Sequence, residues 1–151
     1  MQKFVQMRHL FLLPILLGST VVATNVIAPS ANADEIWMSE GRTIQWMDSR
    51  GSTAIFKMQN NRGRDVYLYI EGLASDVSGN RGFYNCYWIA QDNGQRICST
   101  RRGTERRSYN WGNININFIG NSFPYSWTAR YGQCDGKLDG SMKAVPMVQA
   151  N

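Results

Sequence analysis

A period of two is the feature that most constrains this chain. Asn113-Ile114-Asn115-Ile116-Asn117-Phe118 alternates polar and apolar without a fault. On a pleated strand that pattern sends the apolar side chains to one face and the amides to the other. The same period recurs in Thr43–Met47, Thr53–Met58, Val66–Ile70, Phe83–Ala90, Tyr125–Tyr131 and a short stretch from Ser141 to Val145. Turn residues separate these runs, among them Asp48-Ser49-Arg50-Gly51, Asn60-Asn61-Arg62-Gly63 and Gly120-Asn121-Ser122. Asn93-Gly94 is a hairpin signal, since both residues accept the positive φ of a primed turn, and Gln95–Thr100 reads as the returning strand. No segment carries helical i, i+3, i+4, i+7 apolar spacing. The pattern predicts an all-β fold of seven or eight short antiparallel strands, a β-sandwich or a small β-barrel, and the short connections favour an up-and-down barrel.

Residues 1–33 read as a secretory signal peptide. Lys3, Arg8 and His9 form a positive start, Leu10–Leu17 begins an apolar run, and Ala31-Asn32-Ala33 offers a small-x-small cut before Asp34. The run is too short, and too broken by Pro14, Gly18, Ser19 and Thr20, for a membrane anchor of about 20 apolar residues. No cysteine lies near the cut to carry a lipid. The expected destination is therefore secreted or periplasmic, with residues 34–151 forming a single domain whose tail frays after Pro146.

Cleavage changes the chemistry that is available. Of 151 residues, 118 remain, and loss of Lys3 and Arg8 leaves fourteen basic against eleven acidic side chains, a net charge of +3. His9, the single histidine, is also lost. Ser-His-Asp and Cys-His nucleophile pairs, His-based zinc sites and His-ligated haem go with it, so an enzyme is not the first expectation. No cofactor motif emerges. Asp135-Gly136-Lys137-Leu138-Asp139-Gly140 resembles a calcium loop only briefly: Lys137 occupies the third ligand position and Pro146 stands where a bidentate Glu is required. It reads as a turn, and no metal site is expected.

Cys86, Cys98 and Cys134 permit one intrachain disulfide and leave one thiol. Across an Asn93-Gly94 hairpin, Cys86 and Cys98 are at best diagonal neighbours about 7–8 Å apart, whereas a disulfide brings Cβ atoms to about 3.8 Å. Cys98–Cys134 or Cys86–Cys134 is therefore expected over the local pair. The leftover thiol is expected to be buried, an interchain bridge being its functional alternative.

The mature net charge resides in one heptapeptide. Arg101-Arg102-Gly103-Thr104-Glu105-Arg106-Arg107 sums to +3, and the rest of the mature chain to zero. Arginine's planar fork grips sulfate, phosphate or carboxylate. At period two, Arg107, Tyr109 and Trp111 would share a face that stacks on a ligand ring while the cations meet an anion. The competing account is a solvated hairpin tip with Tyr109 and Trp111 turned into the core. Tyr67 with Tyr69, and Tyr84 with Trp88, are sugar platforms if exposed, although burial is the better account of both sets. The Asn113/Asn115/Asn117 face can bond sugar hydroxyls or simply be the wet side of a strand. Phe123-Pro124-Tyr125 suggests a cis-proline turn.

The leading functional expectation is an exported, non-enzymatic β domain. It would bind an anionic glycan, or an anionic lipid surface, through Arg101, Arg102, Arg106 and Arg107 with Tyr109 and Trp111; no specific nucleic acid is expected. The alternatives are a barrel that encloses an apolar ligand or inhibits a partner protein, and a hydrolase working through two facing carboxylates.

Overall fold

Eight antiparallel strands run in chain order: β1 (Ile36–Ser39), β2 (Arg42–Arg50), β3 (Thr53–Gln59), β4 (Asp65–Ile70), β5 (Phe83–Ala90), β6 (Asn110–Ile119), β7 (Ser126–Tyr131) and β8 (Gly140–Pro146). They come from a computed structural model that describes residues 35–76, 81–120 and 125–147. Each strand pairs with the next, and β1 closes onto β8 through Trp37↔Pro146 and Met38↔Val145. The sheet is thus an up-and-down barrel, not a sandwich, and closure removes its edges. The signal-peptide reading, its cut before Asp34, the Phe123-Pro124 turn and the tail from residue 148 lie outside the described residues.

Alternation fills the barrel. Ile44 and Trp46 of β2, Phe56 of β3, Leu68 and Ile70 of β4, Ile114 and Ile116 of β6 and Trp127 of β7 point inward, none more than 1% exposed. Eight strands leave an interior just wide enough for side chains to fill. Trp37, Trp46 and Trp127 fill much of it, with Trp37 stacked on Phe56 at 4.9 Å between centroids. Each buried indole removes roughly 200 Å² from water, an upper bound of about 5 kcal/mol by area. Arg81 and Glu35 form a largely buried pair through two hydrogen bonds of 2.6 and 2.7 Å, with the guanidinium over Trp46, Phe118 and Tyr125. The Leu73–Ser75 3-10 turn buries Leu73 beside β3. Among the described residues no helix is long and apolar enough to cross a membrane. Apolar inside and polar outside is also the reverse of a lipid-embedded barrel.

The strand count comes out at eight through two offsetting differences. Gln95–Thr100 is not a strand, and Ile36–Ser39, too short to display a period, is. The Asn93-Gly94 turn does form, with φ of 46° and 81° and a Gln95 N–H to Asp92 carbonyl bond of 2.8 Å. The chain beyond this turn does not return along β5. Asn110–Ile119 takes that place with eight residue pairs, from Ala90↔Asn110 to Phe83↔Asn117. Strict alternation lets β6 bury Ile114, Ile116 and Phe118 together, whereas Ile97-Cys98 puts adjacent apolar residues on opposite faces. Residues 91–109 become a long loop folded over the outside of the wall.

That cover explains a second, external apolar cluster. Ile55 of β3, Tyr69 of β4, Ile89 of β5 and Trp111 of β6 are outward-facing yet buried, together with Cys98 from the loop. Tyr67, Tyr87 and Cys134 pack against them.

Candidate functional site

The loop over β3–β6 is held at several points. Cys98 is bridged to Cys134, with Cα atoms 5.6 Å apart, and its N–H donates to the Tyr109 carbonyl at 2.8 Å. This is one of the two pairings expected, although the hairpin register that argued for it does not exist. Cys86 is free, buried inside the barrel, and burial pushes its thiol pKa up to about 12. Arg102 and Ser108 exchange backbone hydrogen bonds of 3.0 and 3.1 Å, closing the intervening residues into a small lobe. The buried Ser108 hydroxyl donates to the Ala90 carbonyl at 2.6 Å, and the Trp111 indole N–H to the Thr100 carbonyl at 2.8 Å. Beneath, Gly112 admits the 132–134 segment: a Cβ there would collide with the Gly132 carbonyl and stand 2.6 Å from the Trp88 indole nitrogen.

This anchoring lays guanidinium groups on tyrosine rings. Arg102 Cζ lies 4.4 Å from the centroid of Tyr87 and 5.0 Å from that of Trp111, and its Nη1 donates to Asn113 Oδ1 at 2.6 Å. Arg106 sits 4.2 Å above Tyr67. Arg101 and Arg96 approach Tyr109 at 4.8 and 5.1 Å. Such contacts contribute about 0.5–2 kcal/mol each and fix the plane of the fork while leaving N–H edges available. Of the loop's two carboxylates, Asp92 accepts from the Gly94 and Tyr109 N–H groups and Glu105 is paired with Arg50. Among the described residues no acidic side chain pairs with Arg96, Arg101, Arg102, Arg106 or Arg107.

Of the six residues expected to form the site, three arginines lie on rings, each on a different one: Arg101 on Tyr109, Arg102 on Tyr87 and Trp111, and Arg106 on Tyr67. Arg107 is exposed with no ring beneath it among the described contacts. Trp111, 3% exposed, lies under the loop and presents no face to solvent. Arg107, Tyr109 and Trp111 do not share a strand face, because β6 begins only at Asn110. Tyr67 and Tyr69 are on the outer wall but covered, and Tyr84 and Trp88 pack against the interior. Tyr69 and Tyr87, opposite each other in register, stack at 4.9 Å and 5°. Tyr87 thus touches both Tyr69 and Arg102, so it is no open sugar platform. Burial raises the phenol pKa of both tyrosines.

Two grooves open on the wall around β5 and β6, the first beside Arg102 and Tyr87. The first, about 370 Å³, runs between Arg102, Tyr87, Glu71, Asn85, Asn113 and Asn115. The second, about 460 Å³, is lined by Asn115, Asn117, Thr128, Arg130, Ser141 and Lys143, with exposed Phe83 on its wall. Nothing in the sequence pattern singles out Asn85, Arg130 or Lys143. The available signal is broken alternation: consecutive buried residues at Ala54-Ile55-Phe56 and at Ile89-Ala90 mark a wall covered on both faces. Among the described residues each groove has one acid on its lining, Glu71 and Glu40 respectively, and Glu40 is paired with Arg42. Neither groove therefore supplies the facing carboxylates that hydrolysis would use. Among the described residues no cluster of His, Cys, Asp or Glu could hold a metal ion. No protein-family model matches the chain, and no curated protein or solved structure matches it.

Proposed function

We propose that this is an exported, non-enzymatic β-barrel domain that binds an anionic glycan through the arginine loop. The observation that carries the reading is the set of ring-backed guanidinium groups, Arg101, Arg102 and Arg106, with the loop's own carboxylates, Asp92 and Glu105, engaged elsewhere. Cations held in plane and left without a carboxylate partner favour a ligand that brings the anion. Because guanidinium groups already occupy the tyrosines, recognition runs through charge-assisted hydrogen bonds rather than sugar stacking. Neighbouring amides favour a glycan over a lipid surface. Export is supported by the three-part leader and by the Cys98–Cys134 bridge, which suits an oxidising compartment. An enclosed apolar ligand finds less support, since the protein's own rings crowd the interior.

Fluorescence anisotropy with labelled dextran sulfate tests the reading. Affinity should fall at least tenfold between 50 and 200 mM salt, as expected when about three cations meet a polyanion, and the R101A/R102A/R106A variant should lose most of it. Absence of binding, or salt-independent binding, would overturn the reading. Stronger binding to anionic lipid vesicles would replace the glycan by a membrane surface.

A further inference from the structure

The two grooves share one lining residue, Asn115, and what surrounds it bears on the kind of anion that fits. The outer face of β6 forms their common floor, with Asn113, Asn115 and Asn117 at alternate positions spanning about 13 Å at the usual strand rise. At one end stands Arg102, its fork fixed by Asn113. Arg130 stands midway, opposite Asn115 and held by two hydrogen bonds to the Leu138 carbonyl, and Lys143 stands at the other end, on the row of Asn117 and Thr128. Two rows of outward polar side chains cross the wall: Asn85, Asn115, Arg130 and Ser141 over β5 to β8, and Asn117, Thr128 and Lys143 over β6 to β8.

We infer that a linear polyuronate lies along β6, its carboxylates toward Arg102 at one end, Arg130 midway and Lys143 at the other end, its hydroxyls on Asn85, Asn115, Asn117 and Thr128. The inference rests on the anionic-glycan reading and deepens it by naming the ligand chemistry. A side-chain amide offers donors and an acceptor together, as a sugar hydroxyl does; a polyphosphate chain offers acceptors and leaves the amide oxygens unmatched. A peptide strand would seek a free sheet edge, and the closed barrel has none. A single-stranded nucleic acid would seek open ring faces, and those of Tyr67, Tyr87 and Tyr109 carry guanidinium groups.

The test compares labelled oligogalacturonate with labelled polyphosphate at one ionic strength. N115A/N117A should weaken oligogalacturonate about tenfold and polyphosphate less than twofold, two neutral hydrogen bonds being lost in the first case alone. T128A/S141A, on neighbouring strands, should show the same selectivity if the first variant proves unstable. Equal loss on both ligands, or loss on neither, overturns the track along β6. The arginine reading survives that result provided R101A/R102A/R106A still loses both ligands. If the wild-type protein binds no polyanion, the track and the reading beneath it fall together.

Discussion

Removing the Cys98–Cys134 bridge should expose how the loop is held and how far the barrel depends on it. The bridge closes 36 residues of chain, which include β6 and β7. Loop-closure entropy for that length is about 13 cal/mol/K, or about 4 kcal/mol at 25 °C. Against a total stability of about 5–15 kcal/mol for a domain, that is a large share. Urea unfolding followed by tryptophan fluorescence reports it directly, because Trp37, Trp46 and Trp127 are fully buried. C98A/C134A should lose about 3–4 kcal/mol. Wild-type protein unfolded with reductant present keeps both sulfurs and separates closure from the packing lost with Cys98. Cys86 is buried within the barrel, so reshuffling should not confuse the native baseline. A loss under about 1 kcal/mol in both experiments would refute the view that this bridge limits the unfolded chain.

Three more outcomes are expected from the same geometry. E35A should cost about 3–5 kcal/mol by leaving Arg81 charged and unpaired against Trp46, Phe118 and Tyr125; a cost below about 1 kcal/mol in urea unfolding would contradict the pairing. G112A should cost about 1–3 kcal/mol and displace the 132–134 segment, seen as loss of amide-exchange protection at Cys134, whose N–H donates to the Trp111 carbonyl; unchanged protection would contradict the close approach. Burial favours the neutral phenols of Tyr69, Tyr84 and Tyr87, the last two also opposed by nearby carboxylates, and the neutral Cys86 thiol. Folded pKa values raised in this way give stability that is complete below the unfolded values, about 8.5 for the thiol and about 10 for the phenols, and is lost as pH rises past them. Urea midpoints should therefore fall steadily above about pH 9, with phenolate absorbance from these rings and thiol reactivity appearing only on unfolding. Phenolate signals from these three rings, or a thiolate signal, in the folded protein would contradict this.

How much of this was legible in the sequence depends on how local the cause is. Asn113–Phe118 announces its strand because its alternation is complete within six residues, and Val66–Ile70 does likewise. Gln95–Thr100 misleads because the adjacent Asn93-Gly94 turn is real, while the competition for the edge of β5 is won by a segment fifteen residues further on. Ile36–Ser39 becomes a strand through pairing with both β2 and β8, a closure that four residues do not encode. In the candidate site, charge was legible and placement was not. The heptapeptide shows four arginines, but nothing local indicates that Arg102 lies on Tyr87 or that Arg106 lies on Tyr67. Those contacts depend on a loop path set by a bridge to Cys134 and by the Gly112 gap. The outward Ile55, Ile89 and Trp111 were the sequence's trace of that path.

The most direct test of anion capture by ring-backed arginines is NMR of the arginine Nε–Hε groups during titration with an oligouronate. Arg101, Arg102 and Arg106 should shift together and saturate at one ligand concentration, while Arg81, engaged with Glu35, should stay fixed. Shifts confined to other arginines, or none at concentrations where binding is seen by anisotropy, would contradict it.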